Sequence, residues 1–334
     1  MEMLAMFTDS LRRLAFGLAA GAALAATAAT AADAEPRVLR AISPWAPAYY
    51  WTEPLLEFER RVNAQLGDKV KVEFIGHADI VPTFEQFEAL HNGVVDVILG
   101  ASSYYTGQVP EATAVLYTQL QPSELRENGF FELMQKVHRE KANVVYLANV
   151  GGGVGKAFRM YLNKKIDKPD FTGLKIRVSP VYVELVKALG GTPVVMNPGE
   201  IYTALERGVV DGFGWSYGGI SDFGWQEVTK YAIDHGFYSA NTAILFNGDV
   251  WDSLDAETQA ALAEIGREVE LWAQDYMDAQ NEADNELLKA AGVEFITFSD
   301  ADREVYIRTA YDSAWTAFIA EHPEAGPQLR ALAE

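Results

Sequence analysis

Apolar positions along this chain follow two periods. Between 255 and 291, Leu262, Ile265, Val269, Trp272, Tyr276, Ala283 and Leu287 recur at helical spacing, with no proline and with Gly266 as the only internal breaker. Ser253 or Asp255 can cap the start of this helix and Gly292 its end. At about 1.5 Å per residue the helix is on the order of 50 Å long, more than the width of one lobe of a chain this size, so it is expected to span two. Elsewhere short β-rich runs at 38–42, 69–75, 94–99, 144–148, 174–178, 194–196 and 242–246 alternate with helical patterns at 50–66, 123–141 and 181–189. That alternation predicts α/β layers.

An internal repeat divides the pattern. Residues 85–96 read EQFEALHNGVVD and residues 200–211 read EIYTALERGVVD, identical at seven of twelve positions. Each copy predicts a short amphipathic helix, a left-handed glycine cap (Gly93, Gly208) and a Val-Val strand running to an aspartate. Two copies imply two lobes of similar design. The expected organisation is a first lobe over 35–150, completed by about 248–275, and a second over 151–247, completed by about 276–334. The glycine run 151–155 reads as a flexible crossover between them.

Composition then narrows the function. Arg12 and Arg13 precede an apolar run, and Ala32-Asp33-Ala34 supplies small residues for a cut before Glu35, so 1–34 is expected to be a cleaved signal peptide and the mature chain periplasmic. The formal net charge of −20 carries no dense basic cluster, which argues against nucleic acid as a partner. The chain has no cysteine, which removes disulfides, thiolate metal sites and cysteine nucleophiles. Its five histidines (77, 91, 138, 235, 322) show no metal-ligand spacing.

Catalytic motifs are weak. Gly214-Trp215-Ser216-Tyr217-Gly218 matches G-x-S-x-G literally, with Asp222, His235 and His322 downstream, and a secreted serine hydrolase using Ser216 is the competing enzyme reading. The elbow requires a helix directly after the serine, whereas Gly218 and Gly219 follow it. Gly155-Lys156 lacks phosphate-loop spacing and has Ala157 where a hydroxyl would hold magnesium.

The stretches DFTGLKIRV (170–178) and LGGTPVVMNPGEIYTALERGVVDG (189–212), together with Ser43-Pro44-Trp45, the first GVVD unit and the long helix, resemble the solute-binding proteins of tripartite ATP-independent periplasmic (TRAP) transporters, the DctP family. The resemblance implies a two-lobed periplasmic binding protein fold of type II-like design, non-catalytic and without a cofactor. It implies hinge strands, a spanning helix, capture of an organic carboxylate, and delivery to integral-membrane transporter subunits driven by an ion gradient. A ligand-sensing module of a signalling system is the other non-enzymatic reading.

Within that resemblance Arg177, the arginine of the GLK-R strand, is expected to form a paired salt bridge with the ligand carboxylate. A guanidinium suits this role because it offers parallel N–H donors, stays charged, and gains strength where water is excluded. The bland reading is a surface arginine paired with an acid. Arg159 lies where some relatives place a second arginine, and Lys156 is a further candidate cation. Trp45, Tyr104, Trp215 and Tyr217 are expected to wall the ligand, and Asn197 to touch it. Gly214-Trp215 departs from relatives that carry Glu or Asn after GVVDG; that removes a metal-holding carboxylate, so no bound metal is expected. A single anchoring cation favours a monocarboxylate: an aromatic, oxo or hydroxy acid.

Overall fold

The computed structural model describes residues 35–334 apart from 153, 155, 156 and 240. The expected signal segment 1–34 and Lys156 therefore lie outside the described residues. The strands form two sheets. The first has the order β2 (Val70–Gly76), β1 (Arg37–Ile42), β3 (Val97–Gly100), β10 (Ala243–Asn247), β4 (Val144–Asn149). The second has the order β11 (Glu294–Ile296), β9 (Tyr231–Ile233), β5 (Phe158–Leu162), β8 (Gly212–Ser216), β6 (Lys175–Val178), β7 (Thr192–Val195). Helices α1 (Glu53–Leu66), α2 (Gln86–His91), α3 (Pro122–Glu127), α4 (Phe130–Ala142), α5 (Val183–Ala188), α6 (Ile201–Glu206), α7 (Gly248–Asp252), α8 (Ala256–Ala290), α9 (Asp300–Glu321) and α10 (Gly326–Ala333) complete the described chain.

The sequence repeat marks a structural one. β1 runs parallel to β3, and β6 runs parallel to β8. Each pair is extended by a strand from a distant part of the chain, β10 antiparallel to β3 and β5 antiparallel to β8. Gly93 and Gly208 adopt φ of 71° and 66°, the left-handed turn that ends α2 and α6. The aspartates explain themselves: the Asp96 N–H donates to Arg40 O at 3.0 Å while its Oδ2 accepts from Arg40 N at 2.8 Å. Asp211 does the same with Lys175, at 2.7 and 2.9 Å. Each side chain thus closes the ladder between neighbouring parallel strands. The Val-Val pairs belong to this lead-in turn, so β3 begins at Val97 rather than at 94.

Two other expectations change. The predicted helix 123–141 is two helices, because Gly129 takes φ 91° between α3 and α4. The boundary drawn at 151–247 assigns β10 to the second lobe, whereas β10 pairs with β3 and β4 in the first sheet. Its run of buried residues fits a central strand of either sheet, and pairing alone decides which. The chain therefore passes between the two sheets from β4 to β5 and from β9 to β10.

α8 is the spanning helix, 35 residues and about 50 Å long. Asp255 caps it by accepting from Thr258 N at 2.9 Å, and Gly292 follows its end at φ 85°. Its N-terminal half lies on the first lobe, where Leu262, Ile265 and Val269 are buried and Glu270 receives Arg126 bidentately at 2.7 and 2.9 Å. Its C-terminal half serves the second lobe, where Asn285 bonds Arg159 and Asp284 accepts from Ser221. Ala283 and Leu287 face solvent and Asp284 and Leu288 are buried instead, so the buried stripe drifts by one position along the helix.

Candidate functional site

A cavity of about 430 Å³, counting its opening, lies where both sheets present the C-terminal ends of their parallel strands. After β1 come Trp45, Tyr49 and Trp51; after β3, Ala101, Ser103 and Tyr104. The second lobe contributes Arg177 on β6, Ser179 and Tyr182 beyond it, Trp215 and Ser216 on β8, and Phe158 on β5. Asn241 and Thr242, in the crossover to β10, close the wall.

Among the described residues Arg177 is the one charged side chain lining this space, and it is 0 % exposed. Its partners are carbonyl oxygens. Nε and Nη2 both donate to Met196 O, at 3.0 and 2.8 Å, and Nη1 donates to Gly214 O at 3.2 Å. Three of five N–H groups are thereby used, leaving one on each terminal nitrogen. Burial lowers its pKa, opposed by the smaller influences of Tyr104, Tyr182 and Glu200. A desolvated cation with a pair of hydrogens to donate is a receptor for an anion.

The walls are aromatic. Trp215 lies 5.4 Å from the Arg177 guanidinium, and Trp45 and Tyr104 pack edge to face at 6.0 Å. Burial pushes the Tyr104 phenol up to about 12, so it is a neutral donor. Tyr49, from the first lobe, is held by the second: Trp215 Nε1 donates to its hydroxyl at 2.9 Å, and that hydroxyl meets Ser216 Oγ at 3.2 Å. Because Ser216 donates its own proton to Gly218 O at 2.6 Å, the Tyr49 hydroxyl is the donor to Ser216. Ser216 therefore sits inside a relay that ends on a carbonyl. His235, the nearer of the two downstream histidines, instead accepts from Phe298 N at 3.0 Å.

Of the eight residues expected to bind ligand, Arg177, Trp215, Tyr104 and Trp45 meet around the cavity. Arg159 does not line it. Although it shares a sheet face with Trp215 by register, Trp215 stands on the strand between it and Arg177. Its guanidinium stacks 3.4 Å from the centre of the Tyr217 ring and donates to Asn285 at 2.8 Å, so Arg159 and Tyr217 form the seam to α8. Asn197 is exposed and caps a short turn, with its N–H on Glu200 at 3.0 Å. Its neighbour Met196 supplies the carbonyl that holds Arg177.

Sequence reasoning did not single out Tyr182, Phe158 or Asn241. The Asn241 side chain donates to Tyr146 Oη at 3.1 Å and Asn149 Oδ1 at 3.2 Å and accepts from Ser102 N at 3.3 Å, which ties this residue to the first lobe beside the cavity. No motif marks a crossover residue whose partners are about a hundred positions away. Among the described residues no group of acidic, His or Cys side chains could hold a metal ion, and no helix is long and apolar enough to cross a membrane.

Two repeated α/β lobes, with a helix spanning both and a buried guanidinium in the cavity, define a two-lobed ligand-binding protein. The family described as bacterial extracellular solute-binding protein, family 7 (DctP), matches residues 43–322, and the chain belongs to it. Among relatives, the chain is 27% identical over 298 residues to the C4-dicarboxylate-binding periplasmic protein DctP of Rhodobacter capsulatus, covering 84% of this chain and 86% of that one. It is 25% identical over 285 residues to a monocarboxylate 2-oxoacid-binding periplasmic protein of Nostoc sp., covering 80% and 77%. Its fold is similar to a TRAP periplasmic solute-binding protein from Desulfovibrio salexigens with bound orotic acid, at TM-score 0.79 and 23% identity, over 89% and 97% of the two chains. A second, from Roseobacter denitrificans with bound β-D-glucuronate, gives TM-score 0.77 and 20% identity over 89% and 99%.

Proposed function

We propose that this chain is the periplasmic receptor of a TRAP transporter and captures a small monocarboxylate for uptake through integral-membrane partner subunits. The observation that carries this reading is the state of Arg177: buried, bonded only to carbonyls, and with a hydrogen left on each terminal nitrogen. A carboxylate can accept from both of those hydrogens and offsets the cost of keeping the cation dry. A dicarboxylate needs a second fixed cation, and Arg159 does not line the cavity. The aromatic lining favours an acid with a compact, partly apolar body.

Closure of the lobes buries the ligand and creates the surface that membrane subunits read, without any bond being made or broken. A thermal-shift screen of mono- and dicarboxylates, repeated on Arg177→Ala, tests the reading. A monocarboxylate hit that vanishes in the variant supports it; hits confined to dicarboxylates, or hits that survive the substitution, reject it.

A further inference from the structure

Tyr182 ends the short turn 180–182 after β6, and its ring occupies the space that a side chain on residue 214 would fill. A Cβ built on Gly214 would stand 2.9 Å from Tyr182 Cδ2 and 3.2 Å from Cε2, closer than a real side chain tolerates without displacing the ring. The other edges of the ring are fixed by aromatic neighbours, Phe158 at 5.0 Å and Phe237 at 5.7 Å between centroids. The carbonyl of Gly214 is at the same time the acceptor for Arg177 Nη1. One glycine thus seats a phenol and orients a guanidinium, and both side chains line the ligand cavity.

We infer that Tyr182 reads an uncharged acceptor oxygen adjoining the ligand's carboxylate, so that the site selects 2-oxo and 2-hydroxy monocarboxylates over unsubstituted alkanoates, with Gly214 required to seat it. The inference rests on the monocarboxylate reading above and deepens it. An acid held by two N–H groups of Arg177 places its second carbon two bonds beyond the hydrogen-bonded oxygens, within the cavity that Tyr182 also lines. Burial raises the Tyr182 phenol far above its ordinary value, against the smaller effects of Ser179 and Arg177, so it remains a donor at every working pH. Phe158, which packs on the same ring, offers no polar group in its place. An alkanoate would leave the phenol no acceptor but the Ser179 hydroxyl in a dry site.

The test is calorimetric titration of the wild type, Tyr182→Phe and Gly214→Ala with 2-oxobutanoate and with butanoate. The wild type is expected to prefer 2-oxobutanoate by at least about tenfold. Tyr182→Phe keeps the packed ring and should lose about tenfold for 2-oxobutanoate while butanoate changes by less than about twofold. Gly214→Ala should erode the same preference by pushing the ring aside. Equal losses for both acids in Tyr182→Phe, or an unchanged preference, overturn the assignment. Failure of the wild type to bind either acid also overturns it, while the monocarboxylate reading is decided separately by the Arg177→Ala screen.

Discussion

Trp215 Nε1 donates a 2.9 Å hydrogen bond to the hydroxyl of Tyr49, joining residues 166 positions apart and on opposite lobes. Through Tyr49 the bond continues to Ser216 and Gly218 O, so a wall of the ligand cavity and a contact between the lobes are the same few atoms.

Tyr49→Phe removes the acceptor for the Trp215 indole and the donor to Ser216, but keeps the ring. The expected cost of about 1–2 kcal/mol falls on the closed arrangement, so affinity should drop roughly tenfold, and by a similar factor for every acid bound. Calorimetry across several ligands checks this; an unchanged affinity would mean that the bond does not hold the lobes together.

Gly219 has φ 85°, and a Cβ there would lie 2.3 Å from Tyr50 Cε1 and 2.8 Å from Tyr49 Cε2. Gly224 shares the left-handed backbone, with φ 70°, but has nothing within 4 Å. Gly224→Ala should therefore cost only about 1 kcal/mol of backbone strain in thermal unfolding, with ligand affinity nearly intact. Gly219→Ala should weaken ligand binding by more than about tenfold, because it pushes the second lobe off Tyr49 and Tyr50. Similar affinities for the two variants would remove Gly219 from the closure contact.

Arg177→Lys keeps a positive charge and discards the fork. The ammonium cannot bond Met196 O and Gly214 O while also offering two parallel hydrogens, so affinity for a monocarboxylate should fall about a hundredfold in titration. Retention of near-wild-type affinity would show that charge alone suffices there.

His138 supplies a pH signature unrelated to ligand. It is buried, with Nδ1 2.7 Å from Met134 O and Nε2 3.2 Å from Tyr105 Oη, and desolvation lowers its pKa to about 4. Between about pH 6.5 and 4 the unfolded chain binds a proton that the folded chain refuses, so the contribution is complete above the ordinary value and lost as pH falls. The loss is on the order of 3 kcal/mol. Denaturant unfolding at pH 7 and pH 4.5 should show His138→Gln less stable at neutral pH but less acid-sensitive than the wild type. Equal acid sensitivity would place the proton elsewhere.

What the sequence determined is local. The GVVD turns, the caps of α8 and the alternation of short strands with helices follow from turn chemistry and periodicity within a dozen residues, and Arg177 stood out because its strand resembles a family motif. Even there the drift of α8 moved burial from Leu287 to Leu288, since a long helix answers to neighbours as well as to its own repeat.

Only the tertiary structure decided which sheet receives β10, that Arg159 serves a seam to α8 while Arg177 serves the cavity, and that Tyr182 fills the space left by Gly214. These outcomes depend on side chains brought together from remote segments, such as Tyr49 with Trp215 and Asn241 with Ser102. Periodicity records which face of an element is buried, but not which partner buries it, and a binding site is made of the partners.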